Sequence, residues 1–377
     1  MRKKIDLVFF DAGGGHRSAA TALKQVAGQQ GRDWEICLVN LQHVLAPLDI
    51  FRKVTGIAAE DVYNLILRKG WTFGSPQLAR VMQALIRFYH PRQVKLLQKY
   101  WQESRPDLLV SVIPNFNRAL FESLKLGSPG TPMVTIMTDM ADYPPHFWME
   151  RQPQFFICGT DKAVSQALAL GHEPSRILQT SGMILNPQFY EPIVQDRETE
   201  RQRLGLHPTM PTGLVLFGGY GSKAMLEIAM RLSKSNPAVQ LIMLCGHNQK
   251  LASKLRAFKS GMQIHVEGFT REIPRFMHLA DFFIGKPGPG SLSEAMAMKL
   301  PVIIERNRWT MPQERYNAEW VREKGVGLVV HSFSEIESAV ASLLEPEQYN
   351  ACRAAAERQH NRAVFEIPDI LQRILEA

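Results

Sequence analysis

Apolar and polar positions alternate along this chain in short blocks. Ile5–Phe10 is an apolar run broken only by Asp6 and predicts a buried strand. Asp11–Ser18 follows as a glycine-bearing turn, and Ala19, Ala20, Leu23, Val26 and Ala27 then recur at helical spacing. Glu35–Asn40 predicts the next strand. Leu108–Val112, Met133–Met137 and Phe155–Cys158 are short and apolar, and they alternate with helical stretches such as Arg118–Leu126 and Asp161–Leu170. The run Asn186–Met210 breaks the rhythm with Pro187, Pro192, the charged block Asp196–Arg203, Gly205 and Pro208, and predicts a linker with a lead-in helix. The alternation resumes with Gly213–Phe217, Val239–Leu244, Ile264–Val266, Phe282–Ile284, Pro301–Ile304 and Gly327–Val330. Strands that alternate with helices predict parallel sheets. The expected class is α/β in two units with a boundary near residue 187. Ligands of such sheets bind beyond the carboxyl ends of the strands.

Composition changes this picture in one region. The 377 residues suffice for two domains with their own cores. The net charge of +8 is uneven, because residues 45–101 hold nine Lys or Arg against three Asp or Glu. Trp71, Phe73 and Phe88 lie among those cations, including Arg80, Arg87 and Arg92. Aromatic rings beside cations suit an anionic membrane surface; the plainer alternative is a solvated helical face. No nucleic-acid-binding motif accompanies the charge. No apolar run reaches the roughly 18 residues that span a bilayer. Cys37, Cys158, Cys245 and Cys352 are far apart, without metal-ligand spacing, which fits free thiols in a reducing cytoplasm.

Candidate chemistry lies in the loops. Gly285–Ser291 joins an apolar strand to the helical run Leu292–Met298. Such a junction gathers unpaired amides and the positive end of a helix, which suits a phosphate. Glu294, one turn in, can accept from sugar hydroxyls, and Gln313 with Glu314 offers an amide and a carboxylate to a polyol. Leu214–Met225 repeats strand, glycine loop and helix, with Ser222 as cap or phosphate donor. Two such loops in one unit favour a diphosphate. Gly268 and Phe269 end another strand, where a ring can meet a nucleobase or pack in the core. In the first unit, Gly13, Gly14 and Gly15 precede His16. A dinucleotide fingerprint needs a third glycine where Ser18 stands and an acidic residue where Asn40 stands, so a dehydrogenase is disfavoured. At a helix start, His16 is expected to stay neutral and to take a proton from a hydroxyl.

Taken together, Gly13–His16, Thr138-Asp139, Gly218-Gly219, Gly268-Phe269, Lys286–Glu294 and Gln313-Glu314 resemble, in order and spacing, the family 28 glycosyltransferases. Within that family the chain looks most like the monogalactosyldiacylglycerol synthases. The resemblance implies a GT-B fold, with two Rossmann-like domains whose parallel sheets face each other across a cleft. Residues 1–187 would form an acceptor and membrane domain, residues 188–360 a UDP-sugar domain, and 361–377 a helix packing back on the first domain. Gly268 and Phe269 would face uracil, Glu294 the ribose, and Gly288, Pro289, Gly290 and Ser291 the diphosphate. Gly218, Gly219 and Ser222, with Gly14 and Gly15 opposite, would complete the donor site, and Gln313 and Glu314 would hold the hexose. His16 would be the general base, with Asp139 as its rival. Trp71, Phe73, Arg80, Arg87, Arg92 and Trp148 would form the membrane and acceptor side. The implied partners are a UDP-hexose, diacylglycerol and an anionic membrane surface, in a cytoplasmic, peripherally membrane-associated enzyme. Alternatives in the same fold are another lipid or polyprenyl acceptor, or a UDP-sugar epimerase; a nucleotide-sugar- or lipid-binding protein without turnover is the non-enzymatic one. Arg315 and Tyr316, and the loop Glu305–Met311, depart from the family pattern and leave galactose against glucose open. No D-x-D pair occurs, so no metal is expected, and helix ends and basic side chains would meet the leaving UDP.

Overall fold

The computed structural model describes residues 2–11, 14–48, 75–235 and 238–377, with the backbone alone for 75–87. Six parallel strands form the first sheet: β1 (Lys3–Phe9), β2 (Trp34–Asn40), β3 (Leu108–Ser111), β4 (Met133–Ile136), β5 (Phe155–Cys158) and β6 (Ile177–Gln179). Their order is β2-β1-β3-β4-β5-β6. The second sheet holds β7 (Thr212–Leu216), β8 (Gln240–Leu244), β9 (Ile264–Glu267), β10 (Phe282–Gly285), β11 (Val302–Glu305) and β12 (Gly327–Val330), also all parallel. It runs β12-β11-β10-β7-β8-β9. The pattern anticipated every strand except β6, whose three residues, Ile177-Leu178-Gln179, are too few to carry a period.

Each order reverses once, between β1 and β3 and between β7 and β10, and a crevice opens where neighbouring connections depart to opposite faces. The segments after β1 and β3 carry His16 and Val112. Those after β7 and β10 carry Gly218–Ser222 and Lys286–Ser291.

Ile5, Leu7 and Phe9 pack under Ala20, Leu23 and Val26 of the helix Gly15–Gln29 and under Val364, Ile367 and Leu371 of the last helix, Ala363–Glu376. That last helix therefore sits on the first sheet although it ends the chain. Trp34 Nε1 donates to Gln372 Oε1 at 3.0 Å, and Ser181 donates through N and Oγ to the Glu366 carboxylate. Met140 and Ala141, just beyond β4, join the core under the second sheet with Leu214, Phe283 and Leu292. The chain thus pushes one loop of the first half against the second, next to Asp139.

The basic region is seen in part. A helix spans Ser75–Ser104, with Pro91 inside it. Trp71, Phe73 and the side chains of Arg80 and Arg87 lie outside the described residues. Arg92 is exposed, its guanidinium 5.9 Å from the Tyr89 ring, and Phe88 beside it is 76 % exposed. Among the described residues no helix is long and apolar enough to cross a membrane.

Candidate active site

The first half contributes side chains. Gly14, at φ +79°, opens the helix that follows β1, and a Cβ at Gly14 or Gly15 would have no heavy atom within 4 Å. These glycines border open space, as a ligand-facing rim requires. His16 is half-buried, with Nδ1 3.1 Å from Thr138 Oγ1. Burial drives its pKa down to about 4, against a hydrogen bond to the Val112 carbonyl that favours the cation. The imidazole is thus neutral, as expected, although burial and not the helix end is the cause.

Asp139, one residue beyond Thr138, is buried. Burial raises its pKa to about 7; the Trp148 hydrogen bond opposes this, Glu314 pushes the same way as burial, and Lys286 opposes. Two residues of the second half therefore act on a carboxyl of the first. Trp148 Nε1 donates to Asp139 Oδ2 at 2.8 Å, and its ring lies 6.1 Å from that of His16. Asp142 fastens this tryptophan by accepting from the backbone N–H of Trp148 at 2.6 Å and of His146 at 3.0 Å. Asn117 Nδ2 donates to the Trp148 carbonyl at 3.0 Å. Trp148 was expected on the membrane and acceptor side. It is fully buried, which excludes a membrane contact, because its indole N–H meets the Asp139 carboxylate and its backbone is clamped from two sides.

The second half contributes mostly backbone. Gly218, at φ +72°, turns the chain out of β7. Gly219 accepts through its carbonyl from His247 N at 2.8 Å. A Cβ on Gly246, itself at φ +56°, would stand 2.2 Å from that carbonyl oxygen, so only glycine lets the two loops touch. Ser222 Oγ accepts from Ala224 N at 3.2 Å, at the start of the helix Ala224–Ser235. Phe269 is 53 % exposed and stacks on His247, with centroids 4.1 Å apart and planes at 17°. It is a presented ring and not a core residue. The Gly268 amide is already engaged by Glu267 Oε1 at 2.8 Å.

Beyond β10, Gly288 is the N-cap of the helix Pro289–Ala297, and no side chain caps it. A Cβ on Gly290 would meet nothing within 4 Å. The start of this helix thus has no side-chain cap and borders open space at Gly290, an arrangement that favours an anion. Asn317 Nδ2 holds the loop by donating to the Pro287 carbonyl at 2.7 Å. Ser291 Oγ and Glu314 Oε1 border the space above Gly288. Burial alone raises the Glu294 pKa to about 7, and no donor meets its carboxylate among the described residues. Glu314 is buried and accepts from Lys286 Nζ at 2.7 Å. Gln313 is partly buried beside it, its Nε2 3.6 Å from Met311 Sδ. Arg315, a departure from the expected pattern, braces the preceding loop by donating to the Thr310 and Arg308 carbonyls.

The two crevices therefore face one another, with Asp139 within the electrostatic reach of Lys286 and Glu314. A separate cavity of about 290 Å³ lies between the halves, lined by Thr160, Gly182, Ser293, Tyr316 and Asn361 among others, and holds none of the anticipated site residues. The sequence reading missed His247, Asn317, and the parts of Lys286 and Trp148. The local signal for His247 was Cys245-Gly246-His247 closing β8, the second strand of the second unit; nothing near Trp148 in sequence marks its bond to Asp139.

Comparison with known proteins agrees with this geometry. Residues 214–374 match the sequence model of the glycosyltransferase family 28 C-terminal domain. The chain is 28 % identical over 346 residues to the probable monogalactosyldiacylglycerol synthase 2, chloroplastic, of Oryza sativa subsp. indica, covering 86 % of this chain and 70 % of that one. It is 28 % identical over 365 residues to the monogalactosyldiacylglycerol synthase, chloroplastic, of Spinacia oleracea, covering 92 % of this chain and 67 % of the relative. Among solved structures, MurG of Acinetobacter baumannii superposes with a TM-score of 0.65 at 14 % identity, covering 99 % of this chain and 100 % of that one. The two facing parallel sheets are the GT-B architecture.

Proposed function

We propose, from the match of residues 214–374 to the glycosyltransferase family 28 C-terminal domain and the likeness to the monogalactosyldiacylglycerol synthases, that the chain is a family 28 glycosyltransferase and transfers galactose or glucose from a UDP-sugar to the free hydroxyl of diacylglycerol, with inversion at the anomeric carbon. One observation carries the reading: a half-buried neutral histidine and a buried carboxyl in one half face, across the cleft, an uncapped helix start and a buried Glu314 in the other.

In this reading uracil stacks against Phe269 and His247, Glu294 takes the ribose hydroxyls, and Gln313 and Glu314 hold the hexose. Amides at Gly218–Gly219 and Gly290–Ser291 receive the diphosphate. The lipid oxygen forms its bond to C1 of the hexose as its proton passes to His16. The bond from C1 to the β-phosphate oxygen breaks, and its electron pair leaves with UDP. The helix start and the surrounding amides meet that charge where it develops. His16 is favoured over Asp139 as the proton acceptor because it stands at the open Gly14–Gly15 rim, whereas Asp139 is buried and already bonded to Trp148. Asp139 remains the rival, since a base with a pKa near the working pH is the better matched one.

The acceptor is proposed from the named relatives and from the basic helix Ser75–Ser104 with its exposed Phe88. Cations and a protruding ring suit peripheral attachment to an anionic bilayer, from which the lipid enters. Purified protein supplied with UDP-galactose or UDP-glucose, labelled in the hexose, and with diacylglycerol vesicles tests the proposal. Label should move into hexosyl-diacylglycerol with one equivalent of UDP released. Label recovered only as free hexose or as an epimerised nucleotide sugar would reject the transferase-to-lipid reading.

A further inference from the structure

Lys286 stands where three parts of the proposed donor site meet. A tight turn fixes it, Gly288 N donating to the Lys286 carbonyl at 2.8 Å. Its Cε is 3.4 Å from the place a Cβ would take on Gly288 and 4.0 Å from the corresponding place on Gly218. The end of this side chain therefore lies beside both glycine loops at once. Its Nζ donates to Glu314 Oε1 at 2.7 Å. The two partners differ in freedom: the Lys286 side chain is 38 % exposed, the Glu314 side chain 7 %. The lysine can swing on its flexible stem, and the glutamate is held.

We propose that Lys286 exchanges partners during donor binding, leaving Glu314 for the diphosphate and so releasing the Glu314 carboxylate to the hexose hydroxyls. The idea rests on the nucleotide-sugar reading above and gives that site an internal order of events. In the empty enzyme the ion pair cancels a buried negative charge that would otherwise repel the incoming diphosphate. A diphosphate between the two glycine loops presents more negative charge, in a more exposed place, than one carboxylate. Once the ammonium turns to it, Glu314 is left unpaired in a buried position, which is unfavourable unless a donor replaces the lysine. A hexose hydroxyl supplies that donor. The intact UDP-hexose thus satisfies both groups, whereas product UDP satisfies one and leaves the other exposed to a penalty. The exchange favours substrate binding and product release together.

Calorimetric titration of UMP, UDP and UDP-hexose into wild type, Lys286→Met and Glu314→Gln tests this. Wild type should bind UDP at least tenfold more tightly than UMP. Lys286→Met should lose that tenfold increment while its UMP affinity stays within twofold. Glu314→Gln removes the competing carboxylate beforehand, so it should bind UDP at least threefold more tightly than wild type and lose most of the preference for UDP-hexose over UDP. Equal losses for UMP and UDP in Lys286→Met would give Lys286 a structural part only and overturn the exchange. Weaker UDP binding by Glu314→Gln would overturn it independently of how well Lys286→Met folds. Wild type that binds none of the three ligands would instead remove the nucleotide reading, and the exchange with it.

Discussion

The two halves share one architecture and use it differently. Both are six-stranded parallel sheets with a ligand crevice at the reversal of strand order. In the second half that crevice is lined by glycines, an uncapped helix start and a few polar side chains. In the first half it holds His16, Asp139 and Trp148, which touch one another or nearly so, and burial shifts the pKa values of His16 and Asp139. Backbone amides suit a diphosphate, whose charge is the same in every donor. Shifted side chains suit proton transfer, which needs a base of set strength at a set place. Under the proposed function, the contrast gives grip to one half and chemistry to the other.

Substitutions can break that contrast. The largest effect is expected for His16→Ala, with turnover falling by about 10²–10⁴-fold, the usual worth of a positioned acid or base. UDP affinity, measured by calorimetry, should stay within twofold; a matching loss of UDP binding would place His16 in the donor site instead. Charge reversal at Arg80, Arg87 and Arg92 comes next. At roughly 1 kcal/mol per cation near an anionic surface, the three lost attractions alone weaken vesicle partitioning by about a hundredfold, and the added negative charges weaken it further. Equal sedimentation with anionic vesicles would end the membrane assignment of the first half, and UDP binding should not move in either case. Glu294→Ala should weaken UDP by about tenfold, in line with the loss of hydrogen bonds to a charged group. An unaltered dissociation constant would take Glu294 out of the nucleotide site.

The pH dependence sharpens the choice within the first half. A base works deprotonated, so kcat/KM rises with pH through its pKa. With His16 as acceptor the rise is centred near its value of about 4 and the profile is flat around neutrality. With Asp139 as acceptor the rise is centred near its value of about 7. Stability gives the smallest signal. The Asp139 carboxyl has its pKa raised from the ordinary 3.8 to about 7, so between those values the folded chain holds more protons than the unfolded one. Stability therefore falls as pH rises through that window. Asp139→Asn should flatten the fall in Tm of the unliganded protein, and an unchanged slope would contradict the shift.

Much of the fold was legible because buried parallel strands read as short apolar runs between helical repeats. The proposed donor loops stand out for a related reason: a backbone that approaches a ligand closely needs glycine, and glycine shows in sequence. Gly218, Gly288 and Gly290 were singled out this way. Trp148 was not, because whether an indole faces lipid or a carboxylate depends on Asp142 and Asn117 folding its loop inward, and neither contact leaves a local pattern. The Lys286–Glu314 pair joins residues 28 apart and has no periodic trace. His16 was found as a neutral histidine but for the helix end, whereas the sheet and helix that bury it do most of the work.

A crystal structure with UDP bound examines the division between the halves most directly. UDP should lie in the groove between them, its diphosphate at Gly218–Gly219 and Gly290–Ser291, its ribose on Glu294, and its β-phosphate turned toward His16 and Asp139. UDP lodged anywhere outside that groove, or gripped by the first half alone, would contradict it.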